Sequence, residues 1–142
     1  MIGADVSPPA PVPAGSTPAT LLVVDDEPGI VDSLQKIFER EHLRVLTATT
    51  GADALEIIRR EPVSVMITDL MMSGMSGMDL YGVLVREHPI MATRVVFVTG
   101  GAFTPEANAF LDRIANERLE KPFQFKQLRE LVRKFVKQPR PS

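Results

Sequence analysis

The segment that decides the fold reads Thr20-Leu-Leu-Val-Val-Asp-Asp26, an apolar, β-branched run that stops at two adjacent carboxylates. A continuous apolar run of this kind is typical of a parallel strand that is covered on both faces. Pro28 follows two residues later, and proline favours the first turn of a helix because its missing N–H is not needed there. The segment therefore predicts a buried parallel strand, a turn that carries acidic side chains, and then a helix.

The same strand-then-helix pattern repeats along the chain. Besides the first strand at 20–24, short runs rich in apolar or β-branched residues predict strands at 44–49, 63–68 and 94–98. A short fifth strand is predicted at 118–121, directly before Pro122. Amphipathic stretches predict helices from Pro28 onward and at 51–61, 78–88, 105–115 and 125–137. These units predict an α/β fold with a doubly wound, five-stranded parallel sheet and helices on both faces. At this size we expect the flavodoxin-like (βα)5 fold with the strand order 2-1-3-4-5, which binds ligands beyond the carboxyl ends of its strands.

Two stretches at the ends of the chain are predicted to lie outside this domain. Residues 1–19 hold five of the twelve prolines and few large apolar side chains, so they cannot bury enough surface to offset the cost of ordering. We therefore predict a flexible, proline-rich tail at 1–19, one folded domain at 20–138 and a short second tail at 139–142.

The overall composition narrows the range of functions. A net charge of −2 argues against non-specific contact with nucleic acid, which requires a basic face. The sequence has no cysteine, which excludes disulfides, thiolate metal sites and cysteine nucleophiles. It also has no apolar run of the roughly 20 residues that a membrane span needs, and its first residues do not look like a signal peptide. The sequence thus predicts a cytoplasmic protein without direct membrane contact.

Five polar residues are predicted to meet at one edge of the sheet. Asp25 and Asp26 follow the first strand, and three more, Asp69, Thr99 and Lys121, stand at the ends of the third, fourth and fifth strands. Crowded carboxylates repel one another, and a hard divalent cation such as Mg²⁺ relieves that repulsion. A lysine and a hydroxyl group beside them suit the oxygens of a phosphoryl group. The set therefore predicts a phosphoryl site beside a metal, in which one carboxylate is a candidate nucleophile.

At these positions the sequence resembles the receiver domains of response regulators in two-component signalling. The resemblance spans residues 20–137. Four stretches carry it: Leu22-Val-Val-Asp-Asp-Glu27, Asp69-Leu-Met-Met-Ser-Gly-Met-Ser-Gly77, Val98-Thr-Gly100 and Leu119-Glu-Lys-Pro-Phe123. Among receivers, the segments 99–105 and 116–122 look most like those attached to hybrid sensor histidine kinases.

The resemblance implies a phosphoaccepting signalling protein with only weak self-phosphorylation and self-dephosphorylation activity. Asp69 is implied to be the phosphoacceptor, and the donor is implied to be a histidine kinase or a histidine phosphotransfer domain. Thr99 and Lys121 are implied to contact the phosphoryl oxygens, and the Lys121–Pro122 peptide bond is expected to be cis. A conformational output is expected, with a phosphorylation-dependent dimer as one form of it.

The resemblance also implies how Mg²⁺ is held. Asp26 and Asp69 are implied to bind the ion directly, together with the backbone carbonyl of Met71. Asp25 is implied to bind it through a water molecule. Carboxylate and carbonyl oxygens with several retained waters are the ligands that Mg²⁺ prefers.

Two positions depart from the family pattern. Ser73 stands where the loop after the phosphoacceptor usually carries proline, which leaves the rigidity of this loop open. Arg118 stands three residues before the lysine, where the family usually has Tyr or Phe, whose ring swings inward when the threonine moves. We therefore expect an output through shifts of the helix predicted at 105–115, led by Thr99. The surface involved is formed by that helix, the fifth strand and the last helix.

An aspartyl-phosphate phosphohydrolase of the haloacid dehalogenase type is the main alternative function. Such an enzyme also uses an aspartate nucleophile and Mg²⁺ on a similar sheet. Its nucleophile follows the first strand in a DxD pattern and it carries a cap insertion, whereas this chain has Asp25-Asp-Glu27 there and no room for an insertion. Turnover of p-nitrophenyl phosphate distinguishes the two functions.

Overall fold

A computed structural model of the protein describes residues 19–100 and 104–137. Its strands are β1 (Thr20–Val24), β2 (Arg44–Ala48), β3 (Val65–Asp69), β4 (Val95–Thr99) and β5 (Arg118–Glu120). Its helices are α1 (Pro28–Glu39), α2 (Gly51–Arg60), α3 (Gly77–Glu87), α4 (Pro89–Ala92), α5 (Pro105–Arg113) and α6 (Phe125–Lys137). The strands pair in parallel in the order β2-β1-β3-β4-β5, which confirms the predicted doubly wound topology.

Apolar side chains alternate along the strands between two cores, one on each face of the sheet. Leu22 and Val24 of β1 belong to the core that α2, α3 and α5 cover. Leu21 and Val23 belong to the other core, which α1 and α6 cover. Every residue of β1, β3 and β4 is buried, as expected for parallel strands between two layers of helices.

The pairing of the strands sets which polar residues become neighbours. Val24 of β1 is paired with Thr68 of β3, so Asp25 and Asp69 come next at the ends of these two strands. Thr99 is the last residue of β4, which pairs with β3 on its other side. Because parallel strands run in the same direction, their carboxyl ends meet at one edge of the sheet.

The predicted helices and strands are confirmed, with ends that differ by at most two residues. The strand predicted at 63–68 runs from Val65 to Asp69, so the acidic residue lies within the strand. The short helix α4 was not predicted. Pro89, which the sequence predicts as the end of α3, also occupies the first turn of α4, a position that suits proline.

The two predicted tails lie almost entirely outside the described residues. Of the tail predicted at 1–19 only Ala19 is described, and the tail predicted at 139–142 is not described. The domain predicted at 20–138 contains the whole sheet and its helices up to Lys137. In the described part of the chain, no helix combines the length and the apolar character needed to cross a membrane.

The loop after β3 returns to the end of that strand at Gly77. The Gly77 N–H donates a hydrogen bond to the carbonyl oxygen of Leu70 at 2.8 Å. A Cβ atom on Gly77 would lie 2.5 Å from the carbonyl oxygen of Asp69 and 2.9 Å from Cα of Leu70. Both are backbone atoms at the end of β3, which cannot yield without moving the strand. Glycine is therefore required where α3 begins.

We expect Gly77→Ala to lower the free energy of unfolding by about 1–3 kcal/mol, because the added methyl group overpacks the backbone of β3. Gly82→Ala is the matched control in the same helix. A Cβ there meets only the end of the Arg86 side chain, at 3.8 Å, and alanine favours a helix interior by about 0.5–1 kcal/mol. Urea denaturation measures both variants. Similar changes in stability for the two variants would contradict the claim that a methyl group at Gly77 overpacks β3.

Candidate functional site

The structure brings the five polar residues predicted from the sequence to the carboxyl edge of the sheet. Asp25 and Asp26 directly follow β1, Asp69 ends β3 and Thr99 ends β4. Lys121 directly follows β5, and its backbone N–H donates to the carbonyl oxygen of Thr99 at 2.7 Å. Four neighbouring strands thus deliver their terminal polar groups to one place.

Three carboxylates form the centre of this site. Asp25, Asp26 and Asp69 each offer an oxygen, and these oxygens lie within 4.8 Å of one another. Asp25 is 3% exposed and Asp69 is 8% exposed, so little water screens their charges. Like charges at this spacing repel one another. Three carboxylate oxygens placed in this way fit a hard divalent cation such as Mg²⁺.

Lys121 supplies one positive charge to the cluster. Its Nζ atom lies 3.4 Å from Oδ2 of Asp25 and 3.7 Å from Oδ2 of Asp69. One ammonium group does not balance three carboxylates, so these four groups together carry two excess negative charges when all are ionised. An excess of that size matches the charge of a divalent cation.

The surroundings of Asp69 disfavour the ionised form of its carboxyl group. Burial raises the pKa of Asp69 above its ordinary value, because desolvation disfavours the charged form, and the charges of Asp25 and Asp26 raise this pKa further. Two interactions lower the same pKa: the Lys121 ammonium group and the backbone N–H of Met71. The Met71 N–H donates to Oδ1 of Asp69 at 3.3 Å. Additional positive charge next to Asp69 would offset the free-energy cost of ionising its carboxyl group.

Thr99 places a hydroxyl group at the site without a partner. The residue is 1% exposed, and Oγ1 has no hydrogen-bond partner within the described ranges 19–100 and 104–137. A buried hydroxyl group that stays unpaired costs free energy, and such a group in a native structure calls for an explanation. An anionic oxygen bound next to Asp69 would supply the missing acceptor.

Donors from the loops hold two of the carboxylates in place. The N–H of Glu27 donates to Oδ1 of Asp25 at 2.9 Å. Asp26 accepts two hydrogen bonds on Oδ2, from the N–H of Ser73 at 3.0 Å and from the Ser73 hydroxyl at 3.2 Å. The sequence did not predict this role of Ser73. Its only signal was a polar residue where the receiver family usually has proline.

Three further predictions concern residues around the carboxylates. The Lys121–Pro122 peptide bond is cis, which confirms the expectation. Arg118 is exposed on the edge strand β5, so this position presents a charged group to solvent. Met71 is 45% exposed beside the site. The role of the Met71 carbonyl as a metal ligand stays a prediction.

Comparison with known proteins identifies the family. Residues 21–133 match the family described as the response regulator receiver domain. The transcriptional regulatory protein GlrR of Escherichia coli (strain K12) is 33% identical over 125 residues, which cover 88% of this chain and 28% of GlrR. The heme response regulator HssR of Staphylococcus saprophyticus is 29% identical over 118 residues, which cover 83% of this chain and 51% of HssR. The chain therefore spans only 28% to 51% of the length of these two relatives.

Solved structures share the fold. A response regulator receiver domain protein from Clostridium thermocellum superposes with a TM-score of 0.74 at 30% identity, over 84% of this chain and 94% of that chain. The response regulator TrrA from Thermotoga maritima, solved in complex with Mg²⁺ and BeF, superposes with a TM-score of 0.71 at 28% identity, over 82% of this chain and 98% of that chain.

These findings decide between the alternatives left by the sequence. The haloacid dehalogenase alternative is not supported, since the family that the chain matches is that of response regulator receivers. The resemblance to the receivers of hybrid sensor kinases stays a prediction. With a family match over residues 21–133 on a parallel sheet of the confirmed strand order, the chain belongs to the response regulator receiver domain family of two-component signalling.

Proposed function

We propose that Asp69 accepts a phosphoryl group from the phosphohistidine of a histidine kinase or of a histidine phosphotransfer domain. The observation that carries the proposal is the meeting of three carboxylates, those of Asp25, Asp26 and Asp69, with the ammonium group of Lys121. The cluster offers a nucleophile, a place for a divalent cation and a positive charge for phosphoryl oxygens. The chain acts as a phosphoacceptor, with only weak self-phosphorylation and self-dephosphorylation.

Asp69 is the best placed of the three carboxylates to act as the nucleophile. Asp25 is the more deeply buried, and its oxygens make the shorter contacts. The Glu27 N–H is 2.9 Å from Asp25, compared with 3.3 Å from the Met71 N–H to Asp69, and Lys121 is 3.4 Å from Asp25, compared with 3.7 Å from Asp69. Asp26 is bound twice by Ser73. In the transfer, a carboxylate oxygen of Asp69 forms the new O–P bond. The P–N bond to the donor histidine breaks, and the imidazole nitrogen keeps the electron pair of that bond.

Lys121 and Thr99 are placed to stabilise the transferred group. Nζ of Lys121, 3.7 Å from Oδ2 of Asp69, would face the oxygens of a phosphoryl group on that carboxylate. The unpaired hydroxyl group of Thr99 would donate to another of these oxygens. The three carboxylates and the Met71 carbonyl would hold Mg²⁺, which when bound neutralises charge on the phosphoryl oxygens.

The proposed output begins at Thr99. A hydrogen bond from its hydroxyl to a phosphoryl oxygen would favour a packing in which the end of β4 moves toward Asp69. Thr99 pairs with Glu120 of β5, so the movement reaches the surface formed by α5, β5 and α6. Arg118 is exposed on this surface as a contact for the carboxylates of a protein partner or a second copy of the chain. We propose no direct contact with nucleic acid or membrane, and action in the cytoplasm.

Acetyl phosphate with Mg²⁺ should phosphorylate the wild-type chain, and Asp69→Asn should abolish the reaction because an amide oxygen is a poor nucleophile. Intact-mass spectrometry measures the product. Asp112→Asn is the control: it removes the same charge from an exposed position on α5 and should be phosphorylated like the wild type. Phosphorylation that persists in Asp69→Asn, or that continues at the same rate after chelation of Mg²⁺, contradicts the proposal.

Asp69→Asn should also raise the Tm of the chain in EDTA at neutral pH. Because burial raises the pKa of Asp69, the ionised carboxyl group destabilises the folded state relative to the unfolded state, and the amide removes this penalty. The direction in which stability changes with pH follows from the same raised pKa of Asp69. Between the ordinary pKa and the raised pKa the folded wild type binds more protons at Asp69 than the unfolded chain, so stability falls as pH rises through this window and the loss is complete above the raised pKa.

Mg²⁺ should raise the Tm of the wild type more than that of Asp69→Asn, because the ion binds the folded state and the amide carries no charge to attract it. Glu130→Gln is the control for the loss of one negative charge. It lies on the exposed face of α6 and should leave the Tm nearly unchanged in EDTA. Scanning calorimetry compares the three proteins. A Tm of Asp69→Asn at or below that of the wild type in EDTA would refute the account of the charge cluster.

A further inference from the structure

Ser73, in the loop between β3 and α3, binds the Asp26 carboxylate from across the site. Its N–H donates to Oδ2 at 3.0 Å, and its hydroxyl group donates to the same oxygen at 3.2 Å. The two residues are 47 positions apart in the chain, so the contact joins the loop after β1 to the loop after β3. Ser73 has no role in the phosphoryl transfer described above. Its hydrogen bonds to Asp26 therefore need a separate explanation.

Neighbouring contacts hold Ser73 in this position. Gly74, directly after it, has a φ of +73°, a left-handed conformation that glycine adopts readily. The loop closes where the Gly77 N–H donates to the carbonyl oxygen of Leu70 at 2.8 Å. Ser76 starts α3 with a capping box. The donors of Ser73 thus belong to a loop whose two ends, at Leu70 and Gly77, are joined by a backbone hydrogen bond.

Neighbouring negative charges repel the carboxylate of Asp26, which Ser73 binds. Asp26 is partly exposed, and the charges of Asp25 and Asp69 repel its own. Without a donor its side chain would turn toward water, where the repulsion is screened. Hydrogen bonds to a carboxylate are stronger than those between neutral groups, and two of them offset the repulsion. Both end on Oδ2 of Asp26, so they do not occupy Oδ1.

We propose that Ser73 is a positioning residue of the metal site, which holds the carboxylate of Asp26 beside those of Asp25 and Asp69 before a cation arrives. The inference rests on the proposed function, in which these carboxylates bind Mg²⁺. A ligand that is already in place need not be restrained during binding, so the cation binds more tightly. Partners that hydrogen-bond to metal ligands have this effect in metal sites generally.

The test is a titration of the unphosphorylated chain with Mg²⁺, followed through the backbone amide NMR signals of Asp69 and Met71. Ser73→Pro removes both donors, and we expect it to raise the Kd by about 10-fold, as the loss of such a partner does elsewhere. Ser73→Ala keeps the N–H and should raise the Kd by a smaller factor. Ser73→Thr keeps both donors and should restore the wild-type Kd.

Ser76→Ala is the matched control for damage to the loop. It removes the side chain that caps α3 in the same loop, without removing a donor to Asp26. It should lower the Tm and leave the Kd for Mg²⁺ unchanged. Wild-type or tighter binding in both Ser73→Ala and Ser73→Pro overturns the role of Ser73, and so does equal weakening in Ser76→Ala. A wild-type chain that binds no Mg²⁺ overturns the proposed metal site itself, and this inference with it.

Discussion

Repulsion among the carboxylates of Asp25, Asp26 and Asp69 is the interaction to which the rest of the site responds. Their oxygens lie within 4.8 Å of one another, and little water is available to screen the charges of Asp25 and Asp69, which are buried. The side chains cannot all move apart, because the strands that carry Asp25 and Asp69 are buried along their whole length between two apolar cores. Burial of that apolar surface stabilises the sheet by about 25 cal/mol per Å², and the sheet in turn keeps the charges together.

The surrounding groups offset this repulsion in different ways. Lys121 adds a positive charge next to Asp25 and Asp69. Ser73 and the N–H of Glu27 add no charge, but their hydrogen bonds hold the carboxylates of Asp26 and Asp25 in position. Two needs remain: further positive charge, and an acceptor for the hydroxyl of Thr99. A divalent cation would supply the positive charge, and a phosphoryl oxygen would accept the hydrogen bond from Thr99. The site therefore suits the two ligands together.

The loop after β3 shows how a departure from the family pattern is accommodated. Proline stiffens a loop by restricting its own backbone. Ser73 instead joins this loop to a side chain on another loop, with the glycines at 74 and 77 allowing the chain to turn and to pass close to β3. The loop after β3 therefore contacts the carboxylate cluster directly, through Asp26.

The sequence by itself determined the order of strands and helices and the polar residues at the strand ends. Both follow from local patterns, namely apolar runs of strand length and amphipathic periods bounded by proline or acidic residues. Only the tertiary structure decided that Ser73 binds Asp26 and that the hydroxyl of Thr99 lacks an acceptor among the described residues. Contacts between separate loops depend on how the backbone turns, at Gly74 for example, and no periodic pattern in the sequence encodes that geometry.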